Sequence, residues 1–301
     1  METNLIEPEL NESSILFIQP ARGPKNEFWR YLINTVVITI ITLVGTTVLI
    51  LPFLLFFRTA NFMDLSPLLI FIVTLSSFPI SLAVLFLGLW LLHGRKPKSL
   101  IKPVGQFSWS KLIFAAVVWV GILFLSDVIS YLLDPTNYQF TLAWKEFMPF
   151  LLIGLVFIPI QTSTEELIFR GYFTQWLGRY TNNLWVLVLV PNLFFALMHA
   201  ANPEVQAYGY WLTMPGYYLI GLLFSFLTLK THGLEMALGI HAINNLYALM
   251  ITFPNSALAV PAVITIQKVD PVASLIGSFV KVALTVGILY WLKPQWMRGR
   301  E

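Results

Sequence analysis

The chain has 301 residues, 57% of them hydrophobic and only 11% charged, with a mean hydropathy of +0.75. A soluble domain carries about 25% charged residues, so a water-soluble globular fold is excluded. Cysteine is absent, which removes disulfides, thiolate zinc sites and a cysteine nucleophile from consideration.

The first 30 residues are polar and contain Glu2, Glu7, Glu9, Glu12 and Glu27. They lack the basic start and short apolar core of a signal peptide, so the first helix is expected to act as a retained insertion signal. Runs able to cross about 30 Å of hydrocarbon follow in order. They are Tyr31–Phe57, Leu65–Leu92, Leu112–Leu133 (broken by Asp127), Phe147–Thr164, Thr181–Met198, a stretch within Val205–Leu229, Met236–Phe253 and Pro271–Leu292 (broken by Lys281). The expected fold is all-α, a polytopic transmembrane helical bundle of about eight transmembrane helices.

The basic residues follow topology. With the N-terminus inside, 14 of the 18 lysines and arginines fall on one side, among them Arg22, Arg95, Arg179, Arg298 and Arg300. Only Arg58, Lys145 and Lys268 fall on the other, and Lys281 lies within the last helix. This bias is the positive-inside signature and predicts that both termini are cytoplasmic. The basic loop 93–111 reads as a topology determinant near anionic headgroups, and no nucleic-acid partner is implied. Asp127 and Lys281 read as packing or snorkelling residues. Trp185, Trp211, Trp291 and Trp296 stand near span ends, as interfacial anchors do. The segment 202–218 reads as a substrate gate or an ordinary re-entering loop.

Within this apolar chain, "TSTEELIFRGYF" (162–173) is anomalous. An ionisable side chain at the centre of a membrane helix costs about 2.5–3.5 kcal/mol on insertion scales. At 100° per residue, Glu166 and Arg170 share a face and can pair, while Glu165 points about 100° away and has no dedicated counter-ion. Two further pairs stand four residues apart: Phe195 and His199 in "FFALMHA", and His241 and Asn245 in "HAINNLY". His93 and His232, the other two histidines, read as loop residues. Three polar helices in one apolar chain point to a single polar site inside the bundle.

These three motifs, in this order, resemble the CPBP family of intramembrane proteases, also called the Abi or Rce1-like CAAX prenyl endopeptidase family. The likeness covers about 150–250. It implies an active site inside the bundle and a division into a polar cytoplasmic segment 1–30, helices 1–3 in 31–146, a catalytic core of helices 4–7 in 147–253, and a last helix with a basic tail in 254–301. It also implies a peptide-bond hydrolase in which Glu165 is the general base. His199 would hold or polarise the water, and His241 and Asn245 would donate to the oxyanion. Glu166, Arg170 and Phe195 would support them.

Two mechanisms stay open at this level. A buried carboxylate base with preorganised oxyanion donors needs no cofactor. Alternatively Glu165, His199 and His241 resemble the three ligands of a catalytic zinc site, although no H-E-x-x-H pairing is present. The resemblance implies a peptide or membrane-protein substrate, lipid surroundings and a bacterial cytoplasmic membrane; it leaves the oligomeric state open. Two other functions fit the same cluster: a non-catalytic bacteriocin-immunity or membrane binding protein, and a transporter with a Glu/His proton relay. For a helix running on past Arg170 to about Gly178, Glu165 and His199 come within roughly 9 Å in depth.

Overall fold

A computed structural model describes residues 12–58, 64–257 and 260–297. The acidic residues Glu2, Glu7 and Glu9 and the tail arginines Arg298 and Arg300 lie outside the described residues. A short α1 (Glu12–Ile18) and a 3₁₀ turn (Gln19–Arg22) lead into α2 (Phe28–Phe57) and α3 (Pro67–His93). After α4 (Lys98–Ile101) come α5 (Trp109–Leu133), strand β1 (Tyr138–Phe140) and α6 (Trp144–Glu166). A π-helical stretch (Leu167–Phe173) continues α6 into α7 (Thr174–Gly178). The chain proceeds through α8 (Leu184–Leu197), α9 (Pro203–Tyr208), α10 (Tyr210–Thr231) and α11 (Glu235–Met250). Strands β2 (Ile251–Thr252) and β3 (Ile264–Ile266), then α12 (Pro271–Leu292) and α13 (Pro294–Met297), complete it.

The bundle is an integral membrane fold. Among the described residues, six helical stretches are long and apolar enough to cross a bilayer: 28–57, 67–93, 109–133, 144–178, 210–231 and 271–292. The expected count of eight is not reached because α8 has 14 residues and α11 has 16. At 1.5 Å per residue these rise only about 21 and 24 Å, short of the roughly 30 Å core. Local sequence sets the boundaries. Asn183 caps α8 by accepting from Trp185 N at 2.9 Å. Ser66 and Asp270 cap α3 and α12, each followed by a proline at the first helical position. Left-handed residues Arg58, Gly94 and His232 end α2, α3 and α10.

α6 and α11 lie at the centre. α11 packs on α5, α6 and α10; α6 packs on α3 and α11; α10 also packs on α8 and α12; α2 leans on α3 from outside. α5 and α11 approach closely because position 239 is glycine: a Cβ there would run into the Leu112 carbonyl. On one end of the bundle, β3 pairs antiparallel with β1 and parallel with β2, tying the α5–α6 and α11–α12 connections together.

Several sequence readings are corrected. His93 is buried at the end of α3, where Nδ1 stands 3.0 Å from the Lys25 carbonyl and Nε2 2.9 Å from the Tyr172 hydroxyl. His232 is buried as the left-handed residue closing α10. The loop 93–111 is in part interior: Lys102 and Lys111 are buried, Lys102 Nζ donates to the Thr231 carbonyl at 3.1 Å, and Glu235 lies 3.9 Å from it. Asp127 accepts from the Tyr247 hydroxyl at 2.7 Å, linking α5 to α11. Trp185, Trp211 and Trp291 are exposed at helix ends, as anchors would be, and Trp296 packs against the α5–α10–α11 core. The segment 202–218 is mostly helical, turning at Gly209 with φ +93° between α9 and α10.

Candidate active site

The depth of the site follows from the α7–α8 hairpin. α6, the π turn and α7 form one helical rod over residues 144–178, as the sequence requires if Glu165 is to meet His199. Residues 179–183 turn the chain, and α8 begins at Leu184. Glu165 therefore stands about 20 Å up one arm and His199 about 22 Å up the other. The two levels match more closely than the sequence suggested, because the turn consumes residues that a helical count had placed in α8.

The π-helical stretch starts directly after Glu166. Such turns are uncommon and frequent at functional sites. Here the stretch carries Arg170 into complete burial. Arg170 Nη1 donates to Glu166 Oε1 at 2.9 Å, the pairing expected from the four-residue spacing. Its Nη2 donates to Asn192 Oδ1 at 2.8 Å and to the Gly221 carbonyl at 3.3 Å. The guanidinium also lies over the Phe195 ring at 4.1 Å and near Phe224 at 5.2 Å. Gly221 is required by this packing: a Cβ would come within 2.7 Å of Asn192 Oδ1 and 2.9 Å of Arg170 Nη2. Asn192 is held in turn by the Val188 carbonyl and, at 2.9 Å, by the Ser225 hydroxyl. Neither Asn192 nor Gly221 stands out in sequence, since each is a single small residue whose partners lie far along the chain.

His241 joins the two glutamates. Its Nδ1 is 2.7 Å from Glu166 Oε1 and its Nε2 is 3.7 Å from Glu165 Oε2. The ring stacks on Phe224 at 4.9 Å and stands edge-on to Phe195 at 6.0 Å. An ion-paired carboxylate oxygen accepts, so Nδ1 is the N–H nitrogen and Nε2 faces Glu165. Glu165 is slightly exposed, at 13% of its side chain, whereas Glu166 is at 0%. Glu165 Oε1 accepts from Gln161 Nε2 at 2.8 Å, and Oε2 is buried with no hydrogen-bond partner.

His199 lies in the turn just past α8. Its Nδ1 is 2.8 Å from the Phe195 carbonyl, which only accepts; in the neutral ring the proton therefore sits on Nδ1, and Nε2 is the acceptor. The ring stacks on Tyr217 at 4.4 Å and touches Phe195 at 4.7 Å. Phe195 thus lies against both imidazoles and the guanidinium. Tyr217 donates to Glu204 Oε1 and accepts from Asn202 Nδ2 at 2.8 Å. Asn245 Nδ2 donates to Gln161 Oε1 at 3.2 Å.

Glu165, Glu166, Arg170, Phe195, His241 and Asn245 are thus joined through direct contacts or one intervening side chain, and His199 adjoins through Phe195. Gln161, Tyr217 and Glu204 also belong to the cluster and were not singled out from sequence. A signal was available for Gln161, four residues before Glu165 on the same face. Among the described residues, no three carboxylate or imidazole groups converge so as to hold a metal ion. A surface cleft of ≈ 570 Å³ lined by Pro67, Lys145, Phe150, Thr252 and Pro254 contains none of these residues.

Comparison with known proteins bears on the same stretch. The chain is 26% identical over 287 residues to the uncharacterized protein YyaK of Bacillus subtilis (strain 168), covering 91% of this chain and 95% of that protein. No solved structure matches. Residues 143–247 match the family described as type II CAAX prenyl endopeptidase Rce1-like. The match runs from the start of α6 to Tyr247 and contains every motif residue, from Glu165 to Asn245. The part of this membrane protein that builds the polar cluster is therefore the part that is similar to Rce1-like endopeptidases, in line with the CPBP resemblance of its three motifs.

Proposed function

We propose that the protein is an intramembrane endopeptidase that hydrolyses a peptide bond with water activated by Glu165. The observation that carries this reading is the contrast between two adjacent carboxylates. Glu166 is neutralised by Arg170 and bonded to His241, whereas Glu165 has one oxygen held by Gln161 and the other without a hydrogen bond, 3.7 Å from His241 Nε2. A carboxylate in an apolar bundle with no arginine or lysine bound to it, and one oxygen left without a hydrogen bond, is placed to take a proton rather than to stabilise the fold.

In the proposed reaction Glu165 removes a proton from water, and the oxygen attacks the carbonyl carbon. His199, whose Nε2 accepts, holds the second water proton. Charge developing on the carbonyl oxygen is met by an N–H of Asn245 and by the Nε2–H of a doubly protonated His241, whose Nδ1–H is already given to Glu166. Glu166 behind His241 acts as a carboxylate acts behind a catalytic imidazole, orienting the ring and supporting positive charge on it. The tetrahedral centre then collapses with cleavage of the C–N bond, and the proton held by Glu165 passes to the leaving amine. This route uses no metal.

The test is cleavage of a quenched-fluorescent peptide panel, containing farnesylated CAAX peptides and bacteriocin-type leader junctions, by purified wild-type protein and by Glu165→Ala. Cleavage by wild type and none by the folded variant supports the reading. Equal cleavage by both sinks it. The same polar cluster without turnover would be the non-catalytic binding or immunity protein, and ion flux in proteoliposomes would indicate a carrier. The domain match favours the protease over both. The basic loops favour cytoplasmic termini, in what we take to be a bacterial cytoplasmic membrane.

A further inference from the structure

Four hydrogen bonds run head to tail from α5 to the proposed base. Trp119 Nε1 donates to Asn244 Oδ1 at 3.1 Å. Asn244 Nδ2 donates to Asn245 Oδ1 at 3.0 Å. Asn245 Nδ2 donates to Gln161 Oε1 at 3.2 Å, and Gln161 Nε2 donates to Glu165 Oε1 at 2.8 Å. Three side-chain amides therefore lie between an indole and a carboxylate.

The direction of this chain is fixed by its ends. An indole N–H can only donate, so the Asn244 atom facing Trp119 is oxygen, and its nitrogen must face Asn245. The same logic passes through Asn245 and Gln161 and delivers an N–H to Glu165. An ionised carboxylate can only accept, so the far end requires the same polarity. The orientation of an isolated amide is often ambiguous; here two independent termini set all three. Trp119 is 3% exposed and belongs to the core between α5, α10 and α11, so its donor is held rigidly.

We infer that Trp119, Asn244 and Gln161 are positioning residues. They form a one-way amide relay that holds the Glu165 carboxylate in place through a charge-assisted bond and fixes which way the Asn245 amide points. Each amide in the relay polarises the next, and the last donor meets the charge. Within one residue, Glu165 then has unequal oxygens: Oε1 is bound by the relay, and Oε2 is left toward His241. The relay also leaves one Asn245 N–H uncommitted, the donor that an oxyanion would use. The inference rests on the protease reading only for the role of Glu165 as base; the relay itself is a feature of the fold.

The experiment does not depend on turnover. Dicyclohexylcarbodiimide reacts with the protonated form of a carboxyl within apolar surroundings, and peptide mass spectrometry reads its adduct at Glu165. Labelling at pH 7 is compared in wild type, Trp119→Phe, Gln161→Met and the double variant, all checked for an unchanged helical spectrum. Trp119→Phe keeps a core aromatic and removes only the first donor of the relay. Glu165 labelling should rise at least threefold in each single variant, and the double variant should rise no further than Gln161→Met alone. Wild-type labelling in Trp119→Phe would overturn the relay, whatever Gln161→Met does. So would multiplicative effects in the double variant, since residues acting through one chain are not independent. Increased labelling alongside a silent peptide panel would leave the relay standing and count against the protease reading.

Discussion

Glu166 and His241 meet at 2.7 Å, and the same glutamate oxygen takes the guanidinium of Arg170 at 2.9 Å. One buried atom therefore couples α6 to α11 and, through Arg170, to α8 and α10. Breaking either contact strands a charge where water cannot reach. Arg170→Met and Glu166→Gln should each cost about 3–5 kcal/mol in thermal or denaturant unfolding in detergent, the range for orphaning one member of a buried pair. The double variant Glu166→Leu/Arg170→Met should be milder than Arg170→Met alone. A worse double variant would mean that the pair itself, rather than its desolvation balance, stabilises the fold.

Gly221 tests the same hub without touching a charge. The methyl of Gly221→Ala would meet Asn192 Oδ1 and Arg170 Nη2 at sub-contact distances. The expected cost is about 1–3 kcal/mol, typical of overpacking, together with a loss of turnover because His241 shares the displaced Glu166. Gly277→Ala, where a Cβ meets nothing, is the control and should leave both stability and turnover unchanged.

Tyr217 separates packing from hydrogen bonding at His199. Tyr217→Ala removes the stacked ring, and an aromatic pair is worth about 0.5–1.5 kcal/mol. Peptide turnover should therefore fall roughly two- to thirteenfold. Tyr217→Phe keeps the ring but takes a donor from buried Glu204, whose Oε2 already lacks a partner. That change should appear as about 1–3 kcal/mol of lost stability, with kcat within about twofold of wild type. Equal effects of both variants on kcat would show that the hydroxyl, not the ring, governs His199.

Chelator treatment distinguishes the two mechanisms that the sequence left open. Cleavage should persist within about twofold after prolonged dialysis against a strong chelator, because the proposed base and oxyanion donors are all side chains. Loss of activity restored by added zinc would replace the glutamate mechanism with a metal-assisted one.

Much of the fold was legible because hydrocarbon imposes simple rules. Long charge-free runs had to be helices; all eight are helical, and six of them are long enough to span. α8 and α11 were counted as spans because an apolar run can continue past the helix that it contains: the helices themselves have 14 and 16 residues. The Glu166–Arg170 pair was legible because its geometry is local, set by helical pitch. The hub around Asn192 and Gly221 was not, since their partners are joined only by the packing of α8 and α10 on the π turn. His93 and His232 were misread because a residue at a helix end resembles a loop residue in sequence, whatever packs over it. The relay from Trp119 to Glu165 was half visible: Asn244 and Asn245 lay in a motif, but Trp119 and Gln161 gained meaning only through helix packing.

The short lengths of α8 and α11 have a consequence for biogenesis. α11, which carries His241, and α8, which leads into His199, are both too short to be taken up by the bilayer as independent spans. α11 also begins under residues 98–102, where Leu234 N donates to the Ile101 carbonyl at 2.9 Å. We expect each to enter only as the second arm of a hairpin, α8 behind the α6–α7 rod and α11 behind α10. An insertion assay on isolated segments should integrate residues 210–231 but not 235–250, whereas 210–250 should integrate as a unit. Integration of 235–250 alone would contradict this order of assembly. On this account the polar cluster is never presented to lipid one helix at a time; its charges enter the membrane already close to their partners.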